Sequence, residues 1–322
     1  MRSSGIGGQA VLEGVMMRHK NEVAVAVRKP DGTIKVAKQR VRSPKDICKA
    51  FGWPIIRGVA SFISSLVIGI KTLTYSANIY AEDEETEKSD NSKSESAIMF
   101  GTVAFSLIFA VAIFMILPYA AANGILKLAK SDSAILLAVI EGVIKLGIFI
   151  AYISLISLMK DIKRTYMYHG SEHKCINCIE GGNALTVDNV MKASKEHRRC
   201  GTSFIFFVLF LSIILFVILD AVLNSIGILD TSNFVNKIIR MGFRLLLVPL
   251  IAGLSFEFIQ WTGNSDLKIA GILSKPGLWI QALTTKEPDR DMVEVAIASV
   301  EAVFDWRGYL KEEGIDDDKP DC

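Results

Sequence analysis

The 322-residue chain is close to electrically neutral, with 36 Lys and Arg residues against 34 Asp and Glu residues. This balance excludes the strongly basic character of a typical DNA-binding protein, so no DNA partner is expected. Apolar residues make up 51% of the sequence and are concentrated in a few long runs, as in a membrane protein.

Residues 1–50 are predicted to form a cytoplasmic N-terminal region with a small β unit. Valine occupies every second position from Val23 to Val27, and a Pro-Asp-Gly turn at residues 30–32 precedes a second short stretch. Lys and Arg are frequent throughout this region. The sequence therefore predicts a basic hairpin at the start of the chain.

Residues 51–80 are predicted to form an amphipathic, membrane-associated helix. Large apolar side chains recur at helical spacing on one face of residues 55–77, and Arg57, Ser61 and Lys71 lie on the other. This pattern suits an interfacial or re-entrant helix as well as a membrane span. Residues 81–97 follow as a highly charged stretch without aromatic residues, which predicts a disordered acidic linker.

Four long apolar runs define a predicted transmembrane domain over residues 98–261. A helix needs roughly 20 mostly apolar residues to cross the bilayer, and in lipid only helices or closed barrels satisfy their own backbone hydrogen bonds. We therefore predict an all-α polytopic membrane protein with four transmembrane helices plus the interfacial or re-entrant helix. The four runs are residues 98–119, 134–159, 203–229 and 238–261.

The distribution of basic residues predicts the orientation. Residues 1–50 and the loop 160–202 are rich in Lys and Arg, which favours the cytoplasmic side for both. Four crossings then leave both termini in the cytoplasm, whereas a fifth crossing at residues 55–77 would move the basic N-terminal region outside. Residues 262–310 are accordingly a cytoplasmic, helical C-terminal region, and residues 311–322 a disordered acidic tail.

The loop 160–202 contains most residues that could bind a metal ion. His169 and His173 are four residues apart and share a helix face, and His197 and Cys200 are three residues apart. Imidazole and thiolate are the commonest zinc ligands in proteins. The alternative is that these histidines only hydrogen-bond to the backbone or to lipid headgroups.

Further candidates surround these residues. Cys175 and Cys178 form a CxxC pair, which is an alternative set of metal ligands. Glu172, Glu180 and Glu196 offer carboxylates that could bind metal or act as a general base.

Ionisable residues also occur within the predicted spans. Glu141 and Lys145 are four residues apart, and with Asp220 and Arg244 they are predicted to form structural ion pairs between helices. Glu257 lies near the cytoplasmic end of the last span, where it could reach the histidine loop or simply approach the membrane surface.

Four motifs carry a resemblance to a known family. GGQAVLEGVMMR, YHGSEHK, HRRCGTSF and QALTTKEP occur in this order within residues 7–304 and resemble the DUF1385 family of bacterial membrane proteins. The resemblance implies a multi-pass protein of the bacterial cell membrane and a predicted metal-dependent enzyme. The family's motif positions fall here on Gln9, Glu13, Arg18, His169, Glu172, His173, Lys174, Glu180, His197, Arg199, Cys200, Thr202, Gln281, Thr284, Thr285 and Glu287.

The chain departs from the family pattern in two places. Arg198 replaces a usual proline, and Cys175 and Cys178 occupy positions that are rarely cysteine in the family. The resemblance therefore argues against the CxxC pair as ligands. It favours His173, His197 and Cys200, with His169 or a carboxylate as the fourth ligand.

Two functional hypotheses follow. In the first, Zn²⁺ or another divalent metal is bound at the cytoplasmic face, Glu172 or Glu180 acts as base, and Lys174 or Arg199 stabilises developing negative charge. The metal ligands would be His169, His173, His197 and Cys200. In the second, the protein is a non-enzymatic scaffold or assembly factor whose basic surface contacts the lipid bilayer, a ribosome or a translocon. The sequence leaves the oligomeric state undetermined.

Overall fold

The computed structural model describes residues 3–81, 92–131, 133–225, 234–265 and 267–315. The predicted architecture, mostly helical with a small N-terminal sheet, is confirmed. The strands are β1 (Ile6–Val11), β2 (Gly14–His19), β3 (Glu22–Arg28) and β4 (Ile34–Arg40). The helices are α1 (Pro44–Ile47), α2 (Ile56–Ala81), α3 (Ser92–Val111), α4 (Leu117–Leu128), α5 (Ala134–Ile156), α6 (Lys160–Glu180), α7 (Val187–Lys192), α8 (Gly201–Ser225), α9 (Phe234–Gly263), α10 (Lys268–Thr284), α11 (Arg290–Val303) and α12 (Trp306–Glu312).

The sheet is an antiparallel meander of four strands in the order β1-β2-β3-β4. The sheet begins at Ile6, sixteen positions before Glu22, where the predicted β unit starts. Strand β2 was missed because it lacks the alternation by which a strand is usually recognised. Val15, Met16 and Met17 are all buried in succession. Both faces of β2 are therefore covered, and a strand covered on both faces reads as a continuous apolar run.

Two different layers cover the sheet. Val15 and Met17 pack into a core with Ile176 of α6 and Val295 of α11. Met16 faces the opposite way, into a second core completed by side chains of α2. The sheet therefore lies between α2 on one face and α6 and α11 on the other. We call β1–β4, α6, α7, α11 and α12 the head module.

Five helical segments in the described residues are long and apolar enough to cross a membrane. Four agree with the predicted spans, and the fifth is the segment that was predicted to lie in the interface. These segments are Ile56–Tyr80, Gly101–Leu128, Leu136–Ile156, Gly201–Ser225 and Ile238–Gly263.

Helix α2 contacts two different parts of the molecule along its length. Near its start, Gly58 lies against the backbone of Gly253 in α9, so that a Cβ atom on Gly58 would approach the Gly253 carbonyl oxygen to 3.0 Å. In its second half, Ile68 and Ile79 are buried against the sheet. The Ser76 hydroxyl also accepts a hydrogen bond of 3.2 Å from the Leu12 N–H in the β1–β2 turn. Helix α2 thus links the C-terminal part of α9 to the head module.

Helix α10 packs against the bundle, although it lies within the predicted cytoplasmic region 262–310. Ile280 joins a buried cluster with Phe149 and Ile153 of α5. Gly277 lies so close to α8 that an added Cβ atom would be 2.8 Å from the Ser203 Cβ atom. On its other side Trp279 is 71% exposed, which suits contact with lipid.

The ionisable residues within the spans form one buried network. The Arg244 guanidinium donates to both carboxylate oxygens of Glu141, at 2.7 and 2.8 Å, and to Asp220 at 3.0 Å. Arg240, which the sequence analysis did not single out, also pairs with Asp220. Lys145 lies 3.7 Å from Glu141. These contacts join helices α5, α8 and α9, as predicted for structural ion pairs.

The predicted acidic linker and tail fall mainly outside the described residues. The structure does not describe residues 82–91 of the predicted linker or residues 316–322 of the predicted tail. Helix α3 begins at Ser92, within the segment 81–97 that was assigned to the linker. At the other end, α12 ends at Glu312, two residues into the predicted tail.

Replacing Arg244 should destabilise the bundle. Arg244→Met leaves the buried Glu141 and Asp220 carboxylates with less compensating charge, and loss of one partner of a buried ion pair costs about 3–5 kcal/mol. Thermal unfolding in detergent, compared with the exposed control Arg307→Met, measures the effect. Equal unfolding midpoints for the two variants would show that the network does not stabilise the fold.

Candidate metal centre

Helix α6 carries the centre and is enclosed by the head module. It buries Ser171, Glu172, His173 and Lys174 in succession, although these are polar residues. Gly170 lies against the carbonyl oxygen of Lys286, where any side chain would collide. A helix so closely surrounded must satisfy most of its polar groups through neighbouring elements, because these side chains are removed from bulk water.

Three side chains converge at this helix. The ligand atoms of His169, His173 and Cys200 all lie within 4.8 Å of one another. The Cys200 Sγ atom is 3.3 Å from the His169 Nε2 atom, and the two histidine rings are 4.4 Å apart between centroids. We call this group the His-His-Cys triad.

The two imidazoles are oriented by backbone carbonyl groups. The His169 Nδ1 atom lies 3.0 Å from the Thr284 carbonyl oxygen, and the His173 Nδ1 atom lies 2.7 Å from that of Lys195. Because a carbonyl oxygen only accepts hydrogen bonds, each Nδ1 atom must carry a proton, so Nε2 is the nitrogen whose lone pair can bind a metal ion when the imidazole is neutral. This is the usual arrangement of a metal-binding histidine, whose second nitrogen donates to a carbonyl or carboxylate.

Cys200 lies directly before the first residue of α8. The Thr202 N–H points at its Sγ atom from 3.4 Å, and the Thr202 hydroxyl is 2.8 Å away. A helix N-terminus stabilises a thiolate through its partial positive charge. Burial opposes ionisation of Cys200, but the neighbouring His169 and His173 hold the pKa of this thiol well below its usual value. Cys200 is therefore prepared to act as a thiolate ligand.

His169 is affected in the opposite direction. Burial would lower the pKa of this imidazole, but the Cys200 thiolate and the Glu172 carboxylate raise it to about 9. Without a metal ion, a proton on the histidine thus compensates the negative charge of the thiolate. A divalent cation would replace that proton, since metal ligands bind in their deprotonated form.

Glu172 is directed towards the same place. Its Oε2 atom is 3.9 Å from the His169 Nε2 atom, and the residue is only 4% exposed. Gly8 of strand β1 packs on its side chain, and a Cβ atom at Gly8 would lie 2.9 Å from the Glu172 Cγ atom. Glu172 can therefore serve either as a fourth ligand or as a base beside the triad.

His197 differs from its predicted role. Its ring centroid is 5.6 Å from that of His173, but its Nε2 atom lies beside Glu180, at 3.8 Å from Oε2, and beside Arg199. Two hydrogen bonds to the Gln281 side chain, of 2.8 and 2.9 Å, hold its backbone. The structure thus brings His169 rather than His197 to the triad.

Glu180 is poorly suited to act as a base. Its Oε1 atom accepts hydrogen bonds from the Ser4 N–H, the Ser4 hydroxyl and Arg199, at 2.8, 2.7 and 2.5 Å. Burial favours the neutral acid, but hydrogen bonding by His197 and the charge of Arg199 lower the pKa of Glu180 to about 2. A carboxylate with so low a pKa has little tendency to take a proton at neutral pH.

Lys174 points away from the triad. Its ammonium group donates to the carbonyl oxygens of Met191 and Ala193, at 2.8 and 2.9 Å, and pairs with Glu287 at 3.0 Å. All three of its hydrogens therefore have acceptors. Lys174 fixes the end of α7 rather than stabilising charge at the triad.

The remaining candidates lie elsewhere. Cys175 and Cys178 are buried in the apolar core of the head module, where burial raises the pKa of both thiols, the second to about 12. Glu196 is exposed. Glu257 pairs with Arg57 of α2 and does not reach the histidines.

The N-terminal motif explains how α6 is held in place, which the sequence did not reveal. Glu13, in the turn between β1 and β2, pairs with Arg164 and accepts a 3.3 Å hydrogen bond from the Tyr168 hydroxyl. Gly8, on strand β1 before this turn, packs on the Glu172 side chain. Thr284 likewise contributes through its carbonyl oxygen, and a backbone atom has no signature in a sequence.

Comparison with known proteins agrees with the resemblance carried by the motifs. A family model described as "Protein of unknown function (DUF1385)" matches residues 53–306. The "Uncharacterized protein YqhQ" of Bacillus subtilis (strain 168) is 35% identical over 303 residues, which cover 91% of this chain and 90% of that protein. No solved structure matches the chain. The matched region includes α6, Cys200 and Thr284, and the chain belongs to the DUF1385 family.

Proposed function

We propose that this protein binds a divalent metal ion, Zn²⁺ by ligand type, through His169, His173 and Cys200. The observation that supports the proposal is the orientation of both imidazoles: their Nδ1 atoms meet carbonyl oxygens, and the ligand atoms of the triad lie within 4.8 Å of one another. Two nitrogen ligands and one thiolate form a set that zinc favours. Three protein ligands also leave a fourth position open, as in catalytic zinc sites.

We further propose that the centre is hydrolytic. A zinc ion bound there would lower the pKa of a water ligand to about 7. Glu172, buried and 3.9 Å from the His169 Nε2 atom, is placed to accept a proton from a water molecule beside the triad. The packing of Gly8 on the Glu172 side chain holds the carboxylate in that orientation.

The position of the triad favours a substrate at the membrane surface. Cys200 immediately precedes the candidate span Gly201–Ser225, and Thr284 ends helix α10, which packs on the bundle. The triad therefore lies where the head module meets the apolar helices.

We propose that α2 does not cross the membrane, so that the chain has four crossings. The first turns of α2 contact the C-terminal part of α9, and its second half packs on the sheet. The sheet in turn packs on α6, which follows the candidate span Leu136–Ile156 directly. A crossing by α2 would separate the sheet from these partners. The basic residues of the N-terminal region and of loop 160–202 favour the cytoplasm for this side.

A scaffold role is the second candidate. The exposed edge strand β4 carries Lys38 and Arg40, which could attract an anionic lipid surface or a ribosome. This function needs no metal ion. The metal experiment that follows therefore separates the two candidates.

The purified protein should contain about one metal ion per chain when it is prepared without chelator. His169→Ala, His173→Ala and Cys200→Ala should each lose the metal, because each removes a converging ligand. Elemental analysis of the detergent-solubilised protein measures the content. His19→Ala is the matched control, since His19 lies on β2 beside Phe304 and away from the triad.

His197→Ala distinguishes the ligand set based on the structure from the one expected from the sequence. It should retain the metal, because its Nε2 atom lies beside Glu180 and Arg199. Loss of metal in His197→Ala with retention in His169→Ala would contradict the triad. Absence of metal from the unaltered protein would leave only the scaffold function.

Glu172→Gln should keep the metal and lose hydrolysis. A positioned general base contributes at least about 100-fold to such reactions, so turnover should fall by that factor or more. A panel of chromogenic esters and phosphodiesters, assayed with the zinc-loaded protein, provides the measurement, and exposed Glu196→Gln is the control. Equal rates in both variants would exclude Glu172 as the base, and a lack of metal-dependent turnover across the panel would refute a hydrolytic centre.

The four-crossing topology predicts which loops are accessible from outside. In a Cys48→Ser, Cys322→Ser background, Lys130→Cys at the end of α4 should react with a membrane-impermeant maleimide in intact cells. Lys20→Cys, in the exposed β2–β3 turn, should react only after lysis. Labelling of Lys20→Cys in intact cells would show instead that α2 crosses the bilayer.

A further inference from the structure

A cavity of about 620 Å³ lies between the segment that precedes α2 and the C-terminal part of α9. Its volume falls within the range of ordinary ligand pockets. One side is formed by residues 43–61, and the other by residues 256–264 of α9 and the turn that follows it. The cavity is separate from the His-His-Cys triad, none of whose members line it.

The cavity wall contains both polar and aromatic groups. Lys45, Gln260 and Asn264 provide polar atoms, and the Asn264 amide N–H donates a 3.1 Å hydrogen bond to the Gln260 Oε1 atom. Phe51 and Trp261 provide rings, and both are partly exposed. A lining of this composition suits a ligand that has both polar and apolar parts.

The charges of the wall leave a single uncompensated cation. Arg57 and Glu257 both line the cavity, but they neutralise each other in a bidentate ion pair. Lys45 forms no ion pair with any residue in the described ranges. The lining therefore carries two cations and one anion, a net charge of +1 that favours a singly charged anion.

Specific contacts of Glu257 and Ile55 hold the cavity wall in place. Ile55, a β-branched residue directly before α2, has a positive φ of 68°, which is a strained conformation for this residue type. Its N–H donates a 3.2 Å hydrogen bond to Glu257, and its carbonyl region lies against Gly253. The same carboxylate thus holds both Arg57 and the strained residue at the cavity.

The cavity also lies at the level of a membrane surface. Its lining residues on α9 fall at the end of the candidate span Ile238–Gly263. Trp53, 63% exposed, and Trp261, 44% exposed, occur there, and tryptophan is enriched at membrane interfaces. Beyond the cavity, Phe62 and Leu66 extend an exposed apolar face along α2.

We propose that this cavity binds the headgroup of an anionic glycerophospholipid. Lys45 contacts the phosphate, Gln260 and Asn264 hydrogen-bond to the headgroup, and the acyl chains lie along Phe62 and Leu66. A soluble anion would leave the aromatic wall and the apolar face of α2 without a partner. The proposal goes beyond the metal centre and does not depend on it.

Lipid titration of the full-length protein, followed by native mass spectrometry, tests this proposal. The probe is short-chain phosphatidylglycerol, and phosphatidylcholine with the same chains is the headgroup control. Lys45→Glu should weaken phosphatidylglycerol binding about tenfold, because it reverses the one uncompensated charge. Lys49→Glu is the matched control, since Lys49 is exposed four residues further on and does not line the cavity.

The other outcomes overturn the proposal. Equal weakening by Lys45→Glu and Lys49→Glu would indicate a general charge effect rather than a site. Equal binding of phosphatidylglycerol and phosphatidylcholine would remove the anionic headgroup from the proposal. Binding of glycerol phosphate as tightly as the lipid would identify a soluble phosphate ligand. Metal content measured on the same preparations shows separately whether the metal centre is intact.

Discussion

The desolvation of helix α6 is the constraint on which the rest of the head module depends. Ser171, Glu172, His173 and Lys174 are all buried on this helix, so each needs a partner that water would otherwise provide. The partners come from distant parts of the chain: Lys174 is satisfied by the end of α7 and by Glu287, and His173 by the Lys195 carbonyl. The fold of the head module therefore has to supply these hydrogen-bond partners.

This constraint explains why the recognisable motifs are scattered along the chain. The N-terminal motif holds α6 through Glu13 and Gly8, and the C-terminal motif supplies the Thr284 carbonyl and the Gln281 side chain. The loop after α7 closes the remaining side. Segments far apart in sequence therefore act as one support for the triad, and we expect that disturbing any of them would displace the imidazoles.

In the membrane region, too, buried charged groups are compensated by partners from other helices. The buried carboxylates Glu141 and Asp220 are compensated by Arg240 and Arg244 from another helix, which fixes how α5, α8 and α9 pack together. Helices α2 and α10 then connect this bundle to the head module. The triad and the cavity beside Lys45 both lie along this junction.

The sequence by itself determined the apolar helices and a small β unit, because each leaves a local pattern of period or composition. Spacing placed His169 and His173 on one helix face, as the structure shows. Only the tertiary structure separated His197 from the triad, turned Lys174 away and engaged Glu180 with Arg199. These outcomes depend on contacts between residues up to 176 positions apart. Strand β2 also escaped prediction, since cover on both faces removes the alternation that marks a strand. Local pattern specifies which residues share a face, but competition among distant partners for hydrogen bonds decides where each polar side chain points.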